Sequence, residues 1–300
     1  MDALMILIII IFLVGSLGYL AQTSGLCMVR GVNEWKAGDP EFILAIILSG
    51  SLGWVSILIS YALNIPLSMQ ANAVNAWFAF GGILFGIGAS FNQGCGVSTL
   101  SKLARRDLKM MFTVIGWFVG WCLLSYWQPQ LNTKPLYLSH SLILGVLIFI
   151  SVILLVWVSL GDKERKSLWF KMLGIGLIAG LIFLYEPKWT PSGLLHQVSN
   201  AIFSTDTSWP IVERYLLFLG LLLGMFLAAW RTKKFKLIKF SLNQSCSHIL
   251  AGTFMGLGAS LALGGNDSQL LLALPALSPA GLLSTAGIVF GVWFGLRLKN

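Results

Sequence analysis

Long apolar runs, separated by short polar and basic stretches, fill the chain from Leu4 almost to its last residues. A helix needs roughly 20 apolar residues to cross about 30 Å of hydrocarbon. On that measure the runs predict helices near 3–21, 41–62, 77–104, 109–127, 141–160, 170–186, 212–230, 248–274 and 278–296. The fold class is therefore an all-α polytopic membrane protein with about nine crossings. Two of the nine are interrupted. Residues 77–91 form a run rich in small residues, too short to cross alone, and Asn92-Gln93-Gly94-Cys95-Gly96 breaks it before 97–104 resumes. In 248–274 the interruption falls at Gly264-Gly265-Asn266. Backbone can leave the helix at membrane depth only where protein or a wet cavity covers it. Discontinuous helices, one with a thiol at its break, point to a transport site and not to an anchor.

The two interruptions resemble each other. Gly-Ile-Gly-Ala-Ser-Phe-Asn-Gln-Gly-Cys-Gly (86–96) aligns without gaps to Gly-Leu-Gly-Ala-Ser-Leu-Ala-Leu-Gly-Gly-Asn (256–266). A weaker echo pairs Ser24-Gly25-Leu26-Cys27 with Ser192-Gly193-Leu194-Leu195. Four helices, a connecting helix (141–160) and four more make two inverted repeats, about 1–127 and 170–300, within one transmembrane domain spanning 1–300. Such symmetry places a substrate site between the halves, with broken helices at the centre.

Composition sharpens this picture. The chain is 57% hydrophobic and 10% charged, with mean hydropathy +0.83, which excludes a soluble domain of any size. The net charge of +9 reads as a topology signal, not as a nucleic-acid surface. Seventeen Lys and Arg fall on one side of the predicted helices, against only Lys134, Lys188 and Arg214 on the other. The positive-inside rule then puts the N-terminus outside and the C-terminus in the cytoplasm. The first run lacks a basic region before it and a cleavage site after it, so it reads as a spanning helix and not as a removed signal. The loop 186–210 lies outside and is expected to dip back into the protein. Trp35, Trp127, Trp189 and Trp209 are expected at the membrane interfaces.

Four cysteines and three histidines show no CxxC or zinc spacing, so neither a metal site nor a cofactor is expected. Cys95 sits between Gly94 and Gly96, where its sulfur can be approached closely. Cys27 lies at the inner end of the first helix, and Met28 beside it is a soft neighbour. Cys122 reads as packing and Cys246 as an incidental thiol. Beyond each break a helix N-terminus, starting near Val97 and near Asp267, offers free N–H groups and a positive dipole end to a small anion. Ser98 and Thr99 add hydroxyls at the first break. Gly264, Gly265 and Asn266 frame the second. A neutral thiol is a weak donor that suits a soft sulfur anion. Asp267, expected to be an N-cap, would oppose an anion if ionised.

Taken together, the Ser-Gly-x-Cys element, the Gly-x-Gly…Gly-Cys-Gly break and the second Gly-x-Gly…Gly-Gly element resemble the YeeE/YedE family of sulfur transport proteins. That resemblance spans nearly the whole chain. It implies a bacterial inner-membrane permease that takes thiosulfate inward along cysteine thiols by S–H hydrogen bonding. Cys27 and Cys95 match two of the family's cysteine positions. The third falls on Gly265, which leaves a related sulfur compound or a two-thiol path open. The resemblance also brings in a small cytoplasmic sulfurtransferase of the TusA type as a partner. No enzymatic activity is expected. Two other classes stay open on the residues alone: a membrane thiol-disulfide oxidoreductase using Cys27 and Cys95, and a channel for a small neutral solute.

Overall fold

The computed structural model describes residues 3–65, 69, 71–127, 129, 131, 133–203, 208–235, 238 and 242–299. They form an almost entirely helical bundle. The helices are α1 (Ala3–Ser24), α2 (Met28–Lys36), α3 (Glu41–Ile47), α4 (Trp54–Leu63), α5 (Ala76–Asn92), α6 (Gly96–Ala104) and α7 (Lys109–Trp127). After them come α8 (His140–Ser159), α9 (Lys163–Tyr185), α10 (Pro191–Phe203), α11 (Val212–Arg231), α12 (Leu242–Leu261), α13 (Asn266–Ser268) and α14 (Pro279–Leu298). A 3₁₀ turn, Ser49–Gly53, joins α3 to α4, and a π-helical turn, Gln269–Ala273, extends α13. Two short strands, β1 (Ala71–Asn72) and β2 (Pro135–Leu136), pair antiparallel.

Local chemistry sets several helix starts. Asn75 Oδ1 accepts the Trp77 N–H, Asp162 Oδ1 accepts the Arg165 N–H, and Ser278 Oγ accepts the Gly281 N–H with Pro279 in the first turn. The predicted helices are recovered with shifted ends, except that 41–62 is divided by the Ser49–Gly53 turn into α3 and α4; the largest shift is that of α9, which starts at Lys163 because Asp162 caps it. Among the described residues seven helices or helix runs are long and apolar enough to cross a membrane, or eight if α12 and α13, bent by 41° at their junction, form one span. The expected nine requires α5, at 17 residues, to be counted with α6.

Small residues decide how closely the helices pack. A Cβ on Gly82 or Gly86 of α5 would run into the carbonyls of Ser284 and Ile288 on α14. One on Gly252 or Gly256 of α12 would run into those of Thr113 and Trp117 on α7. Between α5 and α12, Gly88 faces the Ala251 carbonyl and Gly258 faces the Gly81 carbonyl, at 2.6 and 2.5 Å from their would-be Cβ atoms. Without a hydrophobic force between helices in lipid, such backbone contact is what holds them together. Around this centre α1 packs on α9 and α11, and α9 packs on the Ser49–Gly53 turn. The connecting helix α8 turns only Ile143, Leu147, Ser151, Leu154 and Val158 inward. Its Phe149, Val152, Ile153 and Val156 are left exposed, as a lipid-facing helix requires.

Basic residues gather at one end of the bundle. The 105–108 turn bonds to Ile238, Arg106 lies over Phe235, and Arg30 lies over Phe42 beside the Arg165–Glu41 ion pair. Lys236 and Lys239, counted among the seventeen basic residues above, lie outside the described residues. Trp35, Trp127 and Trp209 are exposed near helix ends. Trp189 departs from the interfacial expectation: it is buried, and its indole N–H donates to the Arg214 carbonyl at 3.2 Å.

Candidate functional site

Both interruptions fold in the same way. After α5 the chain turns through Gln93 at φ +58°, and after α12 through Leu263 at φ +57°. Gly94 N–H returns to the Ala89 carbonyl, and Gly264 N–H to the Ala259 carbonyl. Cys95 (ψ −179°) and Gly265 (ψ −172°) are then extended, and each accepts at its carbonyl the first bond of the next helix, from Thr99 and Gln269. The helices restart at Gly96 and Asn266, one residue earlier than expected in each case.

The first break is tied down by Asn92, a residue the sequence reading passed over. Its amide donates to the Gly94 carbonyl and to Thr99 Oγ1, both at 2.8 Å, and its Oδ1 accepts from Thr113 Oγ1 at 2.7 Å. His248 Nδ1 lies 3.0 Å from the same oxygen. Thr99 Oγ1 also donates back to the Cys95 carbonyl, so this hydroxyl belongs to the hinge and not to a cavity. At the second break the amide comes from the other side: Gln269 Nε2 donates to the Ala262 and Gly264 carbonyls. An amide within an apolar helix, beside a glycine pair, was the signal for both.

Cys27 immediately precedes α2 and Cys95 immediately precedes α6, so two helix N-termini converge on two sulfurs. Both thiols are free and buried, and they sit against each other and against Ser98. Neither makes a side-chain cap bond, yet each lies beside first-turn N–H groups, Cys27 at Arg30 and Cys95 at Ser98 and Met28. Cys122 is half-buried and Cys246 exposed, apart from this pair.

Around the second break the chemistry differs. Gly265 has no room for a larger side chain, because a Cβ there would meet Asp267 Oδ1 at 2.8 Å and Ser192 Cβ at 3.3 Å. Asp267 does not cap its own helix, whose N-cap is Gly265. Its carboxylate reaches across to α10, accepting the Ser192 N–H at 2.9 Å and the Ser192 hydroxyl at 2.7 Å. It fills the anion position at that helix's N-terminus. Thr190, Ser192 and Ser268 complete a buried hydroxyl cluster that sequence reasoning missed, because its members come from two segments far apart in the chain. The echo of Ser24–Cys27 in Ser192–Leu195 does not extend to structure: Ser24 ends α1, whereas Ser192 lies in the first turn of α10. It is Thr190, immediately before α10, that stands as Cys27 does before α2, with Gly193 N–H bonded to its hydroxyl.

Three of the cavities among the described residues bear on the breaks and the basic end. At the end opposite the basic one, a recess of about 410 Å³ is bordered by Lys188, His196, Arg214, Thr190, Ser268 and Gln269. Arg214 is paired with Glu186 and donates to Gln197 Oε1. Burial lowers the pKa of the Lys188 ammonium from its ordinary value. Next comes a narrow, mainly apolar gap of about 40 Å³, where Gly96, Val97 and Trp117 face Thr190, Asp267 and Leu271. Gly96 adjoins the second break, since a Cβ on it would meet Asn266 Oδ1 at 3.3 Å, besides Trp117 Cη2 at 2.8 Å. At the basic end, Lys102, Arg105, Lys233 and Lys234 surround a third recess of about 570 Å³ with Asp107. Lys102 Nζ donates to the Gln93 carbonyl at 2.8 Å, tying this recess to the first break.

Of the residues expected at a site, Cys27, Cys95, Gly94, Gly96 and Ser98 come together at the first break, and Gly264, Gly265 and Asn266 adjoin them from the second. The arrangement offers a small anion cationic recesses at either end and neutral donors between. An ionised Asp267 stands against it, since two unit charges about 5 Å apart repel by roughly 3 kcal/mol at an effective dielectric near 20.

Residues 23–294 match the family model described as sulphur transport. No curated protein matches the chain.

Proposed function

The chain belongs to the sulphur transport family, and from that premise we propose that this multi-pass membrane protein carries a small sulfur-containing anion, such as thiosulfate, inward across a bacterial inner membrane. The observation that carries the reading is the meeting of Cys27 and Cys95, each at the start of a helix and each next to a residue of the narrow gap, Leu26 and Gly96, with cations bordering recesses elsewhere along the bundle. The S–H groups and helix N-termini supply donors without a fixed positive charge that would trap the permeant. The lipid bilayer is its surroundings. The N-terminus lies outside and the basic end in the cytoplasm, where a sulfurtransferase of the TusA type would receive the anion at the Lys102–Lys234 recess.

The halves 1–127 and 170–300 are inverted repeats joined by α8. Three matched features support this: the same φ reversal at Gln93 and Leu263, the same glycine seams of α5 on α14 and of α12 on α7, and the same placing of Cys27 and Thr190. The permeation residues are Cys27, Cys95 and Ser98, with Gly94, Gly96, Gly264, Gly265 and Asn266 shaping the backbone around them.

The test is uptake by proteoliposomes of radiolabelled thiosulfate, sulfite, sulfate and selenite, wild type beside Cys95→Ala. Thiosulfate uptake lost in the variant supports the relay; equal uptake removes Cys95 from it. The contact between the two thiols also favours a second reading, a membrane thiol-disulfide oxidoreductase. That reading requires a Cys27–Cys95 disulfide in mass spectra of the isolated protein and a mixed disulfide with a substrate protein.

A further inference from the structure

Asp267 is a buried ionisable group that a relay of neutral donors does not use. It is 5% exposed, and its bonds lead away from the gap along a string of hydroxyls. Ser192 Oγ lies 2.7 Å from Asp267 Oδ1, Ser268 Oγ 2.9 Å from Ser192 Oγ, and Thr190 Oγ1 2.9 Å from Ser268 Oγ. Thr190 and Ser268 border the recess at the end opposite the basic one, and Asp267 borders the narrow gap, which Thr190 also reaches. The string thus joins the recess to a carboxyl at the tightest point of the path, with each link within hydrogen-bonding distance.

The surroundings leave this carboxylate without a cationic partner. Among the described residues no Lys, Arg or His is bonded to it, and no cation borders the gap. From α10 the facing titratable group is His196, whose Nε2 pairs with Asn200 Nδ2, and from the link before α10 they are Lys188 and Glu186, the latter paired with Arg214. From α6 they are Cys95, beside Cys27, and Lys102 at the far end of that helix. α9 and α14 also pack on the Gln269–Ala273 turn, and their basic residues lie at the basic end.

We propose that Asp267 is a proton site coupled to passage of the anion, so that the protein is a proton–anion symporter; this rests on the transport reading above. A proton from water in the outer recess hops along Thr190, Ser268 and Ser192 to Asp267, each hydroxyl accepting one proton and passing on its own. The neutral carboxyl admits an anion to the gap. The anion takes the proton on an oxygen as it passes and releases it to water in the basic recess. Asp267, ionised again and bonded to Ser192, bars the gap until the next proton arrives.

Proteoliposomes enclosing a pH-reporting dye, supplied externally with thiosulfate, test this. Wild-type entry acidifies the lumen, and its rate rises about tenfold per unit fall in external pH while the carboxyl is mostly ionised. Asp267→Asn carries thiosulfate downhill with a flat pH profile and no acidification. Wild-type entry without acidification overturns the proposal even if the variant fails to fold, and so does an Asp267→Asn profile as steep as wild type. If wild type carries none of thiosulfate, sulfite, sulfate and selenite, the transport reading falls and takes the coupling with it.

Discussion

The two helix breaks follow similar backbone paths and differ in much of the chemistry that hangs from them. Gln93 and Leu263 reverse φ alike, and Cys95 and Gly265 are extended alike. Even the carbonyl of the central glycine is held by a side-chain amide in both, from Asn92 in one and from Gln269 in the other. Yet the first break carries Cys95, with Cys27 against it, and no acid, and the second carries hydroxyls and Asp267 but no thiol. Hydrogen bonds made by the main chain fix the shape. The side chains inside that shape are then free to diverge, so one half can hold a soft donor pair while the other holds an acid of its own.

Substitutions can break this contrast at graded cost. Cys95→Ala has the largest effect: uptake falls roughly 10- to 100-fold, the equivalent of one buried hydrogen bond to a charged group. Cys122→Ala, measured in the same assay, leaves uptake unchanged. Making the second break resemble the first comes next. Gly265→Cys alone drives its Cβ against Asp267 and Ser192 and should cost about 1–3 kcal/mol of stability by overpacking. Combined with Asp267→Ser it should recover thermal stability, which a fluorescence melt would read. Asn92→Leu removes the amide that ties the first break and should cost about 1–3 kcal/mol per buried group left unpaired, with a lower melting temperature. The smallest effect is expected for Lys188→Gln, a loss of roughly twofold in uptake at low salt that vanishes at high salt. Because burial lowers the Lys188 pKa, its charge is lost at lower pH than that of an ordinary lysine. The wild-type advantage over this variant should therefore fade as external pH rises toward the alkaline range.

Helix positions were legible in the sequence because lipid leaves little choice: every apolar run of sufficient length is a helix. The break at 92–96 was legible too, since polar Asn92 and Gln93 lead into the glycines that flank Cys95. Three things were not. The helix α10 was not predicted within the 186–210 loop, which was expected only to dip back, although Pro191 suits the first turn of a helix. Asp267 read as a local cap because its real partner, Ser192, is remote in sequence and close only once α10 folds back. Thr190 was missed as the counterpart of Cys27 because a short sequence match, in the wrong register, drew the pairing to Leu195.

The glycine seams carry a mechanical consequence. Where α5 meets α14 and α7 meets α12, main chain rests on main chain, with no side-chain layer to slide or compress. A frame locked in that manner leaves little room for its halves to rock like a hinged shell around a cargo. On the proposed symport, motion is left to what lies inside the frame: the sulfhydryls, the hydroxyl string and a carboxyl that gains or loses a proton. Such a machine resembles a turnstile set in a fixed wall more than a pair of swinging doors.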